Sequence, residues 1–85
     1  MSGPYEDIRQ EIDIIDHEIL SLLSKRALLG IRIGEIKKER GEPVYVPERE
    51  AQIISALIEA NQGPLDNKAI KTIFGTIIEN IRSLE

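Results

Sequence analysis

An arginine interrupts an aliphatic seam early in the sequence. On either side of Arg26, isoleucine and leucine recur at alternating intervals of four and three residues, a spacing that predicts one face of an α-helix. The aliphatic positions of this seam are Ile8, Ile12, Ile15, Ile19, Leu22, Leu29, Ile33 and Ile36. Lys37 lies about 20° from Arg26 on the same face, given about 100° of rotation per residue. Two cations on an apolar wall could hold a small organic anion.

Gly30 lies between these two cations on the same face. A glycine inside a helix costs about 1 kcal/mol relative to alanine, so its presence indicates that room is needed there. Each cation also has an explanation that involves no ligand. For Arg26 it is a buried ion pair with a glutamate of another helix, and for Lys37 it is compensation of the helix dipole at a C-terminus.

Two glutamates extend the apolar faces of other segments. Glu50 precedes Ile54 by four residues, with Arg49 beside it, and Glu85 follows Ile81 by four residues. Without a ligand, Glu50 would stabilise the first turn of a helix and Glu85 would be a solvated residue at a frayed helix end. Finding cations and carboxylates at apolar margins in three separate segments favours a shared site.

The residue types of this candidate site restrict its chemistry. Its members are Arg26, Lys37, Arg49, Glu50 and Glu85. The chain has no cysteine, its one histidine is His17, and it has no glycine-rich phosphate loop. We therefore expect no metal, no cofactor and no covalent step, and predict that a small organic dianion is held and stabilised by charge and hydrogen bonds.

Composition excludes several other classes of function. The net charge is −4 and only three residues are aromatic, which argues against a surface that binds nucleic acid through phosphates and stacked bases. No segment has the basic start and apolar run of a leader peptide or the roughly 18 apolar residues of a membrane span. The expectation is a cytoplasmic protein.

The seam predicts one very long helix. It starts at residues 2–4, with Pro4 in the first turn and acidic residues following, and it ends in a basic last turn before Gly41 and Pro43. Such a helix has about 37 residues and a length of about 55 Å.

Two shorter helices follow, and no segment has the pattern of a strand. One begins at Pro47 and ends at the breaker 61–64, and the other is capped by Asp66 or Asn67. The apolar stripe of this last helix is Ile70, Ile73, Phe74, Ile77, Ile78, Ile81 and Leu84. The sequence therefore predicts an all-α fold, with one long and two shorter helices forming a single domain over residues 1–85.

The long helix exceeds the diameter of a compact 85-residue monomer, which is roughly 25–30 Å. A second copy must cover its far half, so we predict an intertwined helical homodimer. An ordinary antiparallel dimeric bundle without any site is the alternative.

The sequence resembles the all-helical, type II chorismate mutases. The resemblance lies in IRQEIDIIDHEILSLLSKRALLGIRIGEIKKERGEPVYVPERE and in the closing IFGTIIENIRSLE, and it spans nearly the whole chain. It implies three helices per chain in an intertwined dimer with two equivalent pockets. It also implies the cofactor-independent [3,3] rearrangement of chorismate to prephenate, a step of phenylalanine and tyrosine biosynthesis.

The resemblance assigns roles residue by residue. Arg26 matches the arginine that binds a substrate carboxylate, and Arg9 matches one that reaches in from the partner chain. Lys37 matches the lysine that hydrogen-bonds the ether oxygen and a carboxylate. Glu50 matches the glutamate that receives the ring hydroxyl, while Arg49 supports the carboxylate end of the pocket.

Three further positions match with variation. Glu85 stands where some members carry Gln, which donates a hydrogen bond to the ether oxygen at any pH, whereas Glu donates only while protonated. The resemblance therefore implies activity that declines as pH rises. Val46 stands where an Asp can occur and Ile81 where a Ser can occur, so a substrate contact at Val46 must use the backbone.

Two rival functions stay open. One is the isochorismate-pyruvate lyase activity found on the same fold, and the other is a non-catalytic helical dimer that serves as a regulatory or docking module. The chain is either a free-standing mutase or a domain fused to, or associated with, another pathway enzyme.

Overall fold

A computed structural model describes residues 3–85 of the chain. Three α-helices cover most of this range: α1 spans Glu6–Arg40, α2 spans Pro47–Ala60 and α3 spans Asn67–Arg82. No strand occurs among the described residues. The predicted all-α class, with one long and two shorter helices, is confirmed.

The predicted start of α1 is wrong by about one turn. Pro4 and Tyr5 form a turn and the helix begins at Glu6, while Ser2 of the predicted start lies outside the described range. The Glu6 N–H donates to the Gly3 carbonyl at 3.2 Å. Residues 3–6 thus form a β-turn with Pro4 at its second position, where the fixed φ of proline suits a turn.

The end of α1 follows the prediction. Gly41 adopts a left-handed conformation with φ 66°, and the Glu42 N–H donates back to the Lys37 carbonyl at 2.9 Å. This arrangement of bonds is typical of a glycine-terminated helix. It ends α1 after Arg40 and begins the α1–α2 connection, residues 41–46.

Proline and aspartate begin the shorter helices. Pro47 occupies the first turn of α2, where its missing N–H has no cost. Asp66, one of the two predicted caps, begins α3, because its Oδ1 accepts a hydrogen bond from the Ala69 N–H at 2.8 Å. The side chain of Asn61 orders the loop between the helices by donating to the Leu65 carbonyl at 2.8 Å.

Packing leaves α1 largely uncovered. Helix α3 packs against both α2 and α1, yet Ile78 and Ile81 are the only buried large aliphatic residues in the described range. The chain measures 60 × 24 × 16 Å and its radius of gyration is 16.6 Å, against roughly 12 Å for a compact chain of this length. About half of each seam side chain of α1 is exposed.

Within residues 3–85, no helix is both long enough and apolar enough to cross a bilayer.

Candidate functional site

A cavity of about 440 Å³ opens beside the C-terminal half of α1. The α1–α2 connection, the first turns of α2 and the end of α3 complete its walls. Seven of the eight residues predicted from the sequence line this cavity, namely Arg26, Lys37, Val46, Arg49, Glu50, Ile81 and Glu85. The fold therefore brings together side chains that are far apart in the sequence, from Arg26 to Glu85.

Arg26 is half-buried in the wall of this cavity. None of the three ion pairs found among residues 3–85 involves it. The explanation of Arg26 as half of a buried ion pair therefore fails within one chain. Its guanidinium carries several N–H donors on the cavity wall, in the fork geometry that suits a carboxylate.

Lys37 lies in the last turn of α1 and contacts the α1–α2 connection. Its Nζ donates a hydrogen bond to the Val44 carbonyl at 3.0 Å, and the side chain is half-buried beside the cavity. An ammonium group has three protons, so two remain for a ligand. Lys37 compensates the helix dipole and also lines the site, so the two explanations given for it are compatible.

Glu50 is engaged by an arginine that the sequence reasoning missed. Arg82 Nε donates to Glu50 Oε2 at 2.8 Å, and Arg82 Nη2 lies 3.5 Å from Oε1. The Arg82 guanidinium also lies over the Tyr45 ring, 4.4 Å from its centroid. A signal for Arg82 was present in the sequence, since it follows Ile78 by four residues as Glu85 follows Ile81.

Arg49 and Val46 form part of the rim. Arg49 is exposed, whereas Val46 is half-buried at the end of the α1–α2 connection. The Val46 carbonyl accepts from the N–H groups of Arg49 at 3.1 Å and Glu50 at 3.2 Å. That carbonyl therefore anchors the first turn of α2.

The room predicted at Gly30 exists, but α3 occupies it. A Cβ added to Gly30 would lie 2.6 Å from Ile81 Cγ2, and one added to Gly34 would lie 2.9 Å from Glu85 Cα. These two glycines, one turn apart, let the end of α3 approach the α1 backbone. Glu85 lies just beyond α3, on a turn in which its N–H donates to the Arg82 carbonyl at 3.0 Å.

Arg9 is the one predicted site residue that lies away from the cavity. It precedes Arg26 by 17 positions in the same helix, an axial distance of about 25 Å. Its side chain is 66% exposed, 3.9 Å from a Glu6 carboxylate oxygen and stacked over Tyr5. The prediction that Arg9 enters the cavity of a partner chain stays a prediction.

The cavity is positively charged although the chain is acidic. Its lining has four cations, Arg26, Lys37, Arg49 and Arg82, against the two carboxylates of Glu50 and Glu85. Four cations and two ionised carboxylates give the lining a formal charge of +2, whereas the net charge of the whole chain is −4. Apolar side chains from all three helices form the rest of the wall. Such a lining can hold a small dianion and leave hydrogen-bond donors and acceptors for its other groups.

Fold and cavity together define a class of protein: an all-α chain whose long helix, with two shorter ones, forms a small cationic pocket. The sequence profile of the chorismate mutase type II family matches residues 8–85. The chain belongs to this family, as the resemblance predicted.

Individual relatives agree with this assignment. A bifunctional chorismate mutase/prephenate dehydratase of Aquifex aeolicus is 43% identical in an alignment of 84 residues, which covers 94% of this chain and 23% of the relative. A chorismate mutase of Thermus thermophilus superposes with a TM-score of 0.94 at 34% identity, covering 96% of this chain and 93% of the other. A chorismate mutase of Helicobacter pylori, solved in complex with prephenate, superposes with a TM-score of 0.85 at 30% identity, covering 93% and 86%.

The relatives differ from this chain in length. The chain spans 23% of the length of three bifunctional chorismate mutase/prephenate dehydratases that it matches, the Aquifex protein among them.

Proposed function

We propose that this chain is a chorismate mutase, which converts chorismate to prephenate by a [3,3] rearrangement without a cofactor. The observation that carries the proposal is the cavity itself, in which Arg26, Lys37, Glu50 and Glu85 converge in a lining of net positive charge. Membership of the family and likeness to a mutase solved with prephenate support the same reaction.

The reaction requires the protein to position the substrate and to stabilise the charge that develops. One ether C–O bond breaks while one C–C bond forms within a single molecule, so no group is transferred to the protein. Arg26 and Arg49 hold the substrate carboxylates and favour the compact conformer in which the reacting carbons meet. Fixing that conformer removes much of the entropic part of the barrier.

Electrostatic stabilisation follows as the ether bond lengthens and negative charge grows on its oxygen. Lys37 donates a hydrogen bond to this oxygen, and Glu85, while protonated, donates a second one. Glu50 accepts a hydrogen bond from the ring hydroxyl and so orients the ring. These donors are fixed before reaction, which makes them more effective than water.

We further propose that two chains form an intertwined homodimer with two pockets. The support is the uncovered seam of α1, whose members Ile12, Ile19 and Ile36 are each about half exposed in the single chain. Burying this seam against a second α1 would remove that apolar surface from water. Arg9 of the partner subunit would then complete each pocket.

Residues 1–85 are proposed to form one mutase domain that acts in the cytoplasm. A second pathway activity, such as the prephenate dehydratase named in the bifunctional relatives, could be fused to or associated with this domain. The isochorismate-pyruvate lyase and the docking module are the alternatives, and neither has a specific observation in its favour.

The deciding experiment incubates the purified protein separately with chorismate and with its isomer isochorismate. Loss of chorismate ultraviolet absorbance with appearance of prephenate is the expected result. Release of pyruvate from isochorismate, without turnover of chorismate, would support the lyase. Turnover of neither compound by a folded dimer would support the docking module and overturn the proposal.

A further inference from the structure

We propose that Arg82 is a positioning residue that holds the Glu50 carboxylate in its working orientation. The inference rests on the proposed mutase function, in which Glu50 accepts the ring hydroxyl of the substrate. Arg82 approaches Glu50 side-on, with Nε at 2.8 Å from one carboxylate oxygen and Nη2 at 3.5 Å from the other. Through this contact the end of α3 is tied to the first turn of α2.

The pair has the properties of an orienting contact. Only 31% of the Arg82 side chain and 24% of the Glu50 side chain are exposed, whereas the Arg40–Glu42 pair, also at 2.8 Å, is 69% and 45% exposed. Exposed pairs hold their side chains weakly, because water competes for both charges. A shielded pair with two-point geometry restricts the glutamate to fewer rotamers.

Tyr45 fixes the other side of the arginine. The Arg82 Cζ atom lies 4.4 Å from the centroid of the Tyr45 ring, within the range of a cation–π contact. Tyr45 belongs to the α1–α2 connection, whose Val44 carbonyl accepts the Lys37 hydrogen bond. Arg82 thus joins the end of α3 to Glu50 on α2 and to the α1–α2 connection, which in turn contacts Lys37.

Charge gives the contact a second effect. Glu50 on its own would repel a dianionic substrate at close range, and the adjacent guanidinium offsets that repulsion. The carboxylate can then accept a hydrogen bond in the pocket without opposing binding. Because Arg82 acts through Glu50, replacing Arg82 should lower kcat/KM only in proteins that retain Glu50.

A double-mutant cycle tests this dependence. The four proteins are the wild type, Arg82→Met, Glu50→Gln and the double variant, each assayed for kcat/KM with chorismate. We expect Arg82→Met to lower kcat/KM by about 10-fold in the wild-type background and by less than about 2-fold beside Glu50→Gln, as coupled neighbours behave. Equal losses in both backgrounds would overturn the inference and indicate a direct contact between Arg82 and the substrate.

Two further measurements keep the result decisive. The same cycle on the dissociation constant of prephenate needs no turnover and applies if Glu50→Gln is inactive. Arg82→Lys, which keeps the charge but loses the two-point geometry, should cause a smaller loss than Arg82→Met, and it replaces that variant if Arg82→Met does not fold. A loss from Arg82→Lys as large as that from Arg82→Met would contradict the proposed charge effect.

The matched control is Arg40→Met, which removes an ion pair of the same length outside the cavity. It should change kcat/KM by less than about 2-fold, as surface substitutions do. A wild type that does not turn over chorismate would refute the mutase proposal. A wild type that does, with additive losses from Arg82 and Glu50, would refute only the role of Arg82.

Discussion

Gly34 of α1 lies directly against the backbone of Glu85. A Cβ added at Gly34 would be 2.9 Å from Glu85 Cα and 3.0 Å from its carbonyl oxygen. Since the neighbouring atoms are backbone atoms and the Cβ of Glu85, which the backbone fixes, no side-chain rotation can relieve the clash. A residue without a side chain in one helix therefore fixes where the proposed donor Glu85 stands beside the cavity.

Gly34→Ala should impair catalysis by displacing the turn that carries Glu85. We expect kcat/KM with chorismate to fall by about 10-fold or more, because displacements of about 1 Å can have such effects. The control is Gly75→Ala in α3, where an added Cβ meets only Ile54 Cδ1 at 4.0 Å. That variant should keep its activity and gain about 0.5–1 kcal/mol in free energy of unfolding. Equal activity in the two variants would show that the close contact at Gly34 has no role.

The helices were predictable because each has its own local signal. The 4-3 spacing on α1, Gly41 at its end and Asp66 at the start of α3 act within one or two turns of chain. The start of α1 was less predictable, since a proline suits both the first turn of a helix and the second position of a β-turn. The two signals coincide at Pro4, and the turn forms.

The site was predictable to the extent that its residues break an apolar pattern. Arg26 and Glu85 do so, and both line the cavity. Arg82 meets the same criterion, but its partner Glu50 lies 32 positions earlier, and only the packing of α3 on α2 makes them neighbours. Close approach of two backbones, as at Gly34, likewise depends on tertiary structure.

Arg26→Ala should separate an enzyme from a docking module. If Arg26 holds a substrate carboxylate as proposed, removing its guanidinium is expected to lower kcat/KM by at least about 100-fold, equivalent to about 3 kcal/mol of transition-state stabilisation. Stability should not fall in proportion, because Arg26 makes no ion pair within residues 3–85. The control is Lys25→Ala, which removes the adjacent exposed cation. Unchanged turnover in the Arg26 variant, with a sedimentation profile equal to that of the wild type, would refute its catalytic role.

Glu85→Gln should flatten the dependence of activity on pH. In the proposed mechanism Glu85 donates a hydrogen bond to the ether oxygen, which a carboxyl group can do only while protonated, so wild-type activity is expected to decline as pH rises. Glutamine donates at every pH and should sustain kcat from about pH 5 to about pH 9. Measuring kcat for both proteins across this range checks the assignment. A wild-type profile that is already flat would remove Glu85 from the proposed mechanism.

Mixing two inactive variants tests whether each pocket is shared between chains. Arg9 lies outside the cavity of its own chain while Arg26 lines it, so Arg9→Ala and Arg26→Ala are expected to damage the two pockets of a dimer from opposite chains. When the two variants are unfolded and refolded together, the heterodimer has one pocket with both changes and one with neither. Activity should return to about a quarter of the wild-type value, since half of the dimers are mixed and each has one intact pocket. Each variant refolded alone is the control and should stay inactive. If mixed dimers form, as native mass spectrometry can establish, and activity does not return, Arg9 does not act in the partner's pocket.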